Sequence, residues 1–504
     1  MNERIANALE EARKVSDEGI ILSERLSPKS REILINAGFL ERIVRGWYML
    51  VSPESSGSST PWFSMYWQFL KQYLVQRFGQ SGYCLSPQSS LDIYTGETTV
   101  PKQMIILTDK NSNTTVQLPR GISILLYQDS KSIPETPNRI NGLNLMPLPY
   151  AIAKASPAYY QNKSDNIPIA LSLVESVSDI TRVLIETGSI AAAERIAGAY
   201  LETGNSSASQ TVVKDMKLAG YSVKPVNPFI SIVPSIGTGR FRSPYAPRII
   251  AMWNNFRGPV IDMFPEPVIK IDNSDPDNVI KRIRENITED AYHSLSIEGY
   301  RVTDDLIKRV RSGEWNPDKE ISDSNLRDTL AAKGYSLAYD AVLDSVAEAL
   351  KGGNPGKIFK ESLPDWYRQL FYPMVQSGIL RSTDLVGYRR NQVYIKDALH
   401  IPPPYESLID AMDTLFDLLQ KEESGAVRAL LGHYFFVYIH PYMDGNGRLA
   451  RFLMNLMLVT AGYPWTIIRV TERAGYMKSL DLVAREKDIR PFTRFIIQEM
   501  MVNH

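Results

Sequence analysis

One cysteine among 504 residues excludes an internal disulfide framework and fits a reducing compartment. Cys84 stands between Tyr83 and Leu85, the surroundings of a packed thiol rather than a nucleophile. Only five histidines are present, and His293, His400 and His504 share no ligand spacing, so no zinc is expected. His433, one turn before Val437 in an apolar stretch, reads as a hydrogen-bonded core residue. Charge of one sign is missing too: Lys+Arg and Asp+Glu are equal at 56 each, so any nucleic-acid contact must come from a local patch. No window reaches about 18 consecutive apolar residues, and the opening M-N-E-R-I-A has an acid and no apolar run. The expectation is a soluble cytoplasmic protein with no membrane contact. Neither internal repeats nor low-complexity tracts are seen.

Enough apolar residues are present, 44% of the chain, for roughly two to four domains of ordinary size. In residues 1–53, Ser27-Pro28 can open a helix that Gly38 ends, and two short strands, 42–44 and 47–51, fold about Arg45-Gly46. This layout resembles the winged-helix modules of abortive-infection-type antitoxins. The resemblance implies that Lys29, Arg31, Arg42 and Arg45 face DNA phosphates; packing or protein contact is the other reading. Residues 54–60 form a polar Gly/Ser hinge. Residues 61–240 read as a mixed α/β domain of unknown role, with helices at 62–78, 169–185 and 190–201 and strands at 104–107, 115–118 and 122–127. Its string Gly237-Thr238-Gly239-Arg240 lacks the context of a dinucleotide fingerprint and reads as a loop. Five prolines between 244 and 267 suggest an extended connector over 241–275. From 276 to 504 the pattern is mainly helical: Asp275 caps a helix running to Gly299, Thr303 caps the next, and others cover 335–350 and 405–419. A β-hairpin is expected at 385–395.

The stretch H-P-Y-M-D-G-N-G-R-L-A-R, residues 440–451, joins two apolar helical segments, 427–439 and 449–460. A loop entering a helix presents free N–H groups and the positive end of a dipole. Gly445 and Gly447 allow close approach, Asn446 adds an amide, and Arg448 and Arg451, three apart, can clamp phosphate oxygens. Asp444 suits Mg²⁺, which needs few protein carboxylates beside phosphates. His440, closing the preceding helix, can accept a proton. Together they suit in-line attack of a hydroxyl on a nucleotide phosphorus.

This stretch resembles the signature of Fic-domain proteins, H-P-F-x-D/E-G-N-G/K-R-x-x-R, departing only at Tyr442. The resemblance implies a protein adenylyltransferase that moves AMP from ATP to a Tyr, Ser or Thr hydroxyl. In it His440 is base, Asp444 metal ligand, Gly445, Asn446 and Gly447 the anion hole, and Arg448 and Arg451 the distal-phosphate partners. The hairpin at 385–395 would be the flap that holds the target. Tyr476 and residues 484–488 lie where the family forms its nucleoside pocket, though a surface helix explains them too. Upstream, Ser294, Glu298 and Gly299 match the family's inhibitory pattern S/T-x-x-x-E-G/N, implying an N-terminal inhibitory helix at about 286–299. There Ser294 would steady the Glu298 carboxylate, and Glu298 would occupy Arg451. The resemblance leaves two alternatives, removal of AMP by the same site and a DNA-binding regulator whose core only senses nucleotide. Homo-oligomers are common in the family.

Overall fold

The computed structural model describes residues 3–53, 60–110, 113–230, 241, 243–267, 275–312, 323–396 and 398–502, with the side chains of 323–325 excepted. The hinge at 54–59 and the Gly237–Arg240 string fall outside this set. The chain divides into two compact units: residues 1–248 with 394–401, and residues 249–393 with 402–504.

In the first unit, Ser27 caps the helix Pro28–Asn36 through the Ser30 N–H. The strands β1 (Ile20–Leu22), β2 (Leu40–Val44) and β3 (Trp47–Leu50) form an antiparallel sheet of order β1-β3-β2. The expected pair about Arg45-Gly46 is β2–β3, with Gly46 at φ 85° making the turn. These elements are no separate module. Trp47 packs edge-on against Phe69 at 5.7 Å, on the helix Thr60–Phe78, and Ile20, Ile43 and Met49 join the same core. That core also covers the sheet β4-β5-β7-β6, where β4 is Tyr83–Leu85, β5 Gln103–Thr108, β6 Thr114–Gln117 and β7 Ser123–Gln128. The helical stretch expected over 169–185 is two helices, Asn166–Ser172 and Val177–Thr187.

The expectation of an extended connector over 241–275 is corrected. Tyr245–Met263 is a helix, with Pro259 inside it. Pro247 lies in the first turn, where no N–H is lost. The helix pays one missing bond at Pro259 and buries Trp253, Phe256 and Val260; Trp253 and Phe256 lie against Phe435. From Ile249 on, these residues belong to the second unit.

That unit is built of helices. Asp275 caps Pro276–Glu285 as expected, but the pattern running on to Gly299 breaks at Asn286, and Ile287–Ile297 is a helix of its own. The longest, Asp323–Leu350, packs against Pro355–Gln376. Two internal prolines, Pro364 and Pro373, hide Pro355–Gln376 from a reading by periodicity. Leu408–Lys421, Gly425–Ile439 and Asn446–Thr460 complete the centre. The hairpin expected at 385–395 does not form: no strand is present at these residues. The Asn391 carbonyl, which a hairpin would pair across strands, instead accepts from the Arg389 side chain at 2.8 Å.

Candidate active site

Gly425–Ile439 ends where His440 turns left-handed, at φ 52° and ψ 60°. For a residue with a Cβ this costs about 1–2 kcal/mol, and Pro441 prevents the helix from resuming. The His440 Nδ1 lies 3.2 Å from the Val437 carbonyl. A carbonyl only accepts, so Nδ1 carries the proton and Nε2 keeps its lone pair. Burial lowers the imidazole to about 4, the Val437 bond opposing and the Arg389 charge adding. The ring is a neutral acceptor at neutral pH.

The loop that follows is closed upon itself. Asn446 Oδ1 accepts from the Tyr442 N–H at 3.0 Å while its Nδ2 donates to the Tyr442 carbonyl at 2.9 Å. The Asn446 side chain is therefore committed to the loop, and what it offers an anion is its main-chain N–H at the start of Asn446–Thr460. Tyr442, the departure from the signature, stacks on Tyr367 with centroids 3.8 Å apart. Gly445 stands at φ 85°, and a Cβ there would come within 2.9 Å of the Phe371 ring. Asp444 is exposed, with Oδ1 taking the Gly445 N–H at 2.6 Å and lying 3.3 Å from Arg448 Nη2.

Arg448 is fully buried between the rings of Tyr300 and Phe371, at 5.2 and 5.1 Å. Its three nitrogens make no hydrogen bond among the described residues. Arg451 is held from outside the loop: Nε donates to Ser294 Oγ at 2.9 Å, and Nη2 donates to the Ser294 carbonyl at 3.0 Å and to Glu298 Oε1 at 2.7 Å. Burial works against the Arg451 charge, yet the Glu298 carboxylate outweighs it and raises the group further. Glu298 also lies over the loop, for a Cβ on Gly447 would be 2.3 Å from its Oε1. A carboxylate thus rests at the entrance of the helix, where an anion is favoured.

Glu298 is presented by the end of Ile287–Ile297. Gly299 at φ 89° ends it with a Schellman arrangement, Tyr300 N–H to Leu295 carbonyl at 3.1 Å and Gly299 N–H to Ser296 carbonyl at 3.0 Å. This helix is seated by the segment after Asn446–Thr460: Trp465 Nε1 donates to Asp290 at 2.8 Å, and Arg473 Nε donates to the Ile297 carbonyl at 2.7 Å. Burial raises Asp290 to about 6 despite these bonds.

Residues 360–458 match the model of the Fic/DOC family. The chain carries a Fic domain. It is 31% identical over 232 residues to a Nematostella vectensis protein named protein adenylyltransferase Fic, a match covering 43% of this chain and 47% of that protein. It is 47% identical over 210 residues to the Drosophila mojavensis protein of the same name, covering 41% and 38%. The chain spans less than half the length of these curated relatives. A solved structure of Fic-1 from C. elegans aligns over 68% of this chain and 90% of that one, at 20% identity and TM-score 0.36.

Within the second unit the Fic domain brings together His440, Asp444, the glycines, both arginines and Glu298, as the signature implies. Two expectations change. Ser294 steadies Arg451, through Oγ and carbonyl, rather than the carboxylate. Tyr476 is 1% exposed, its hydroxyl donating to His433 Nε2 at 2.7 Å, so it stands behind the site instead of lining a pocket. His433 is the core residue expected, lowered to about 3 by burial. Of residues 484–488, Ala484 is buried and Asp488 pairs with Arg490. Sequence reasoning missed Tyr300, adjacent to the inhibitory pattern, and Arg389, whose place beside the base no local pattern shows.

Proposed function

We propose that the protein is an autoinhibited adenylyltransferase that moves AMP from ATP to a hydroxyl of a protein. The observation that carries this reading is the Glu298 carboxylate lying over Gly447 and bonded to Arg451. A side-chain anion there stands in for a phosphate, and it must leave before a triphosphate can take the same donors. The unused donors of Arg448 and the Nη1 of Arg451 support the same assignment, since buried guanidinium donors are rarely left without an acceptor. With Glu298 withdrawn, the loop N–H groups and arginines hold the distal phosphates. The target hydroxyl loses its proton to His440 Nε2 and attacks the α-phosphorus, a new P–O bond forming as the bond to pyrophosphate breaks.

Magnesium fits this site. Asp444 offers one exposed carboxylate beside the phosphate-binding turn, and Mg²⁺ characteristically takes one or two carboxylates with waters and phosphate oxygens. Bound there, it would neutralise charge on the phosphates.

The same carboxylate, 27% exposed, supports a second reading in which Glu298 orients a water for removal of AMP from a modified protein. The DNA-binding alternative gains less: exposed Lys29, Arg42 and Arg45 alternate with exposed Glu32 and Glu41, a mixed surface.

The test is intact-mass analysis after incubation with Mg-ATP. Glu298→Gly is expected to gain adenylyl groups well beyond the parent, and Glu298→Gly with His440→Ala to gain none. Equal labelling of parent and Glu298→Gly would remove the brake; labelling that survives His440→Ala would remove the base.

A further inference from the structure

Arg389 is 5% exposed, and its guanidinium is met by carbonyl oxygens. Nε donates to the His440 carbonyl at 2.8 Å, Nη1 to Asn391 at 2.8 Å, and Nη2 to Pro403. Its main-chain N–H adds the Pro441 carbonyl at 2.9 Å. One residue therefore takes the two successive carbonyls that follow the imidazole. Burial lowers the guanidinium to about 10, the charge of Glu406 opposing.

A loop tie can be made by neutral donors, and burying a guanidinium against carbonyls alone is a costly way to make one. What distinguishes this place is its neighbour. His440 holds a left-handed conformation that its own side chain disfavours. The direction of its carbonyl is set by the same torsions that aim the ring, and the fork of Arg389 fixes that carbonyl from outside the helix. Val437 fixes the other end, at Nδ1. The peptide and the imidazole are thus each anchored once, and neither anchor lies in the 440–451 motif.

We infer that Arg389 is the positioning residue of the base: its side chain fixes the His440 and Pro441 carbonyls and so aims Nε2 at the hydroxyl it must deprotonate. This rests on the reading of His440 as base. Arg389 also sets part of the ring's electrostatic surroundings. The charged groups acting on His440 are Arg389, which disfavours the imidazolium, and Glu298 and Asp444, which favour it. Loss of the guanidinium therefore lets the ring protonate more readily, whereas a lysine retains the charge but not the planar fork.

The experiment uses the full chain carrying Glu298→Gly, with Arg389→Met and Arg389→Lys added separately. Single-turnover self-labelling with α-labelled ATP gives the maximal rate and the half-saturating ATP concentration. NMR of labelled histidine gives the His440 titration. Arg389→Met is expected to lower the maximal rate about 100-fold, the cost of roughly an ångström of misplacement, with half-saturation unchanged. The His440 titration moves upward in Arg389→Met and stays in place in Arg389→Lys, whose rate still falls. Rates within about twofold of the parent in both variants would overturn the inference. So would a loss confined to half-saturation with an unmoved titration. If Arg389→Met does not fold, Arg389→Lys decides by its rate. If the Glu298→Gly chain labels nothing, the transfer reading fails by itself, and an unmoved titration in Arg389→Met would still refute the placement of Arg389.

Discussion

At the scale of single residues, the protonation state of His440 makes a prediction with a definite sign. Burial brings the imidazole down to about 4, so the base is in its working form across the neutral range. Acid inhibition of transfer is expected only as pH falls towards that value, not near the ordinary histidine range around 6.5. A pH–rate profile of Glu298→Gly measures it, and an acid limb centred near 6.5 would contradict the burial of the ring. Residue types at fixed spacing were what the sequence displayed best: the anion-binding turn, the two arginines and the Glu298 partner are all readable in order. What spacing does not contain is orientation. Asn446 looks like a free amide in the sequence, yet both ends of it are engaged by Tyr442. Ser294 stands one turn from Glu298 and still faces Arg451.

Among the elements, Ile287–Ile297 holds its inhibitory end in place through Gly299. Nothing lies within 4 Å of a Cβ at that glycine, so a substitution there acts through backbone strain alone. Gly299→Ala is expected to cost about 1 kcal/mol and to loosen Glu298 from Arg451. Self-labelling should rise above the parent while remaining below Glu298→Gly, and melting should come slightly earlier. Unchanged labelling would mean that the carboxylate is held independently of the helix end. Periodicity and caps made most helices of the second unit legible, Ser27, Asp275 and Thr303 among them. Prolines misled in two ways. Those at 247 and 259 suggested a connector where apolar burial sustains a helix, and Pro364 and Pro373 concealed Pro355–Gln376. The β-branched and aromatic run at 385–395 suggested strands, but the buried Arg389 commits the carbonyl a ladder would use.

For the molecule as a whole, the sequence suggested a detachable N-terminal module, and the packing of Trp47 on Phe69 denies it. Deleting residues 1–53 is expected to uncover Phe69 and Tyr73 on Thr60–Phe78, increasing binding of an apolar dye and abolishing the melting transition of the first unit. A truncated chain that binds no more dye than the parent would restore the module. The connectivity of the two units matters during synthesis. Residues 394–401 belong to the first unit, where Leu399 and Ile401 pack against the core and the Ile401 N–H donates to the Thr98 carbonyl at 2.8 Å. They leave the ribosome only after residues 249–393. The amino-terminal half must therefore wait, unfinished, while much of its successor is translated, and one proteolytic nick cannot part the halves, since the backbone passes between them three times.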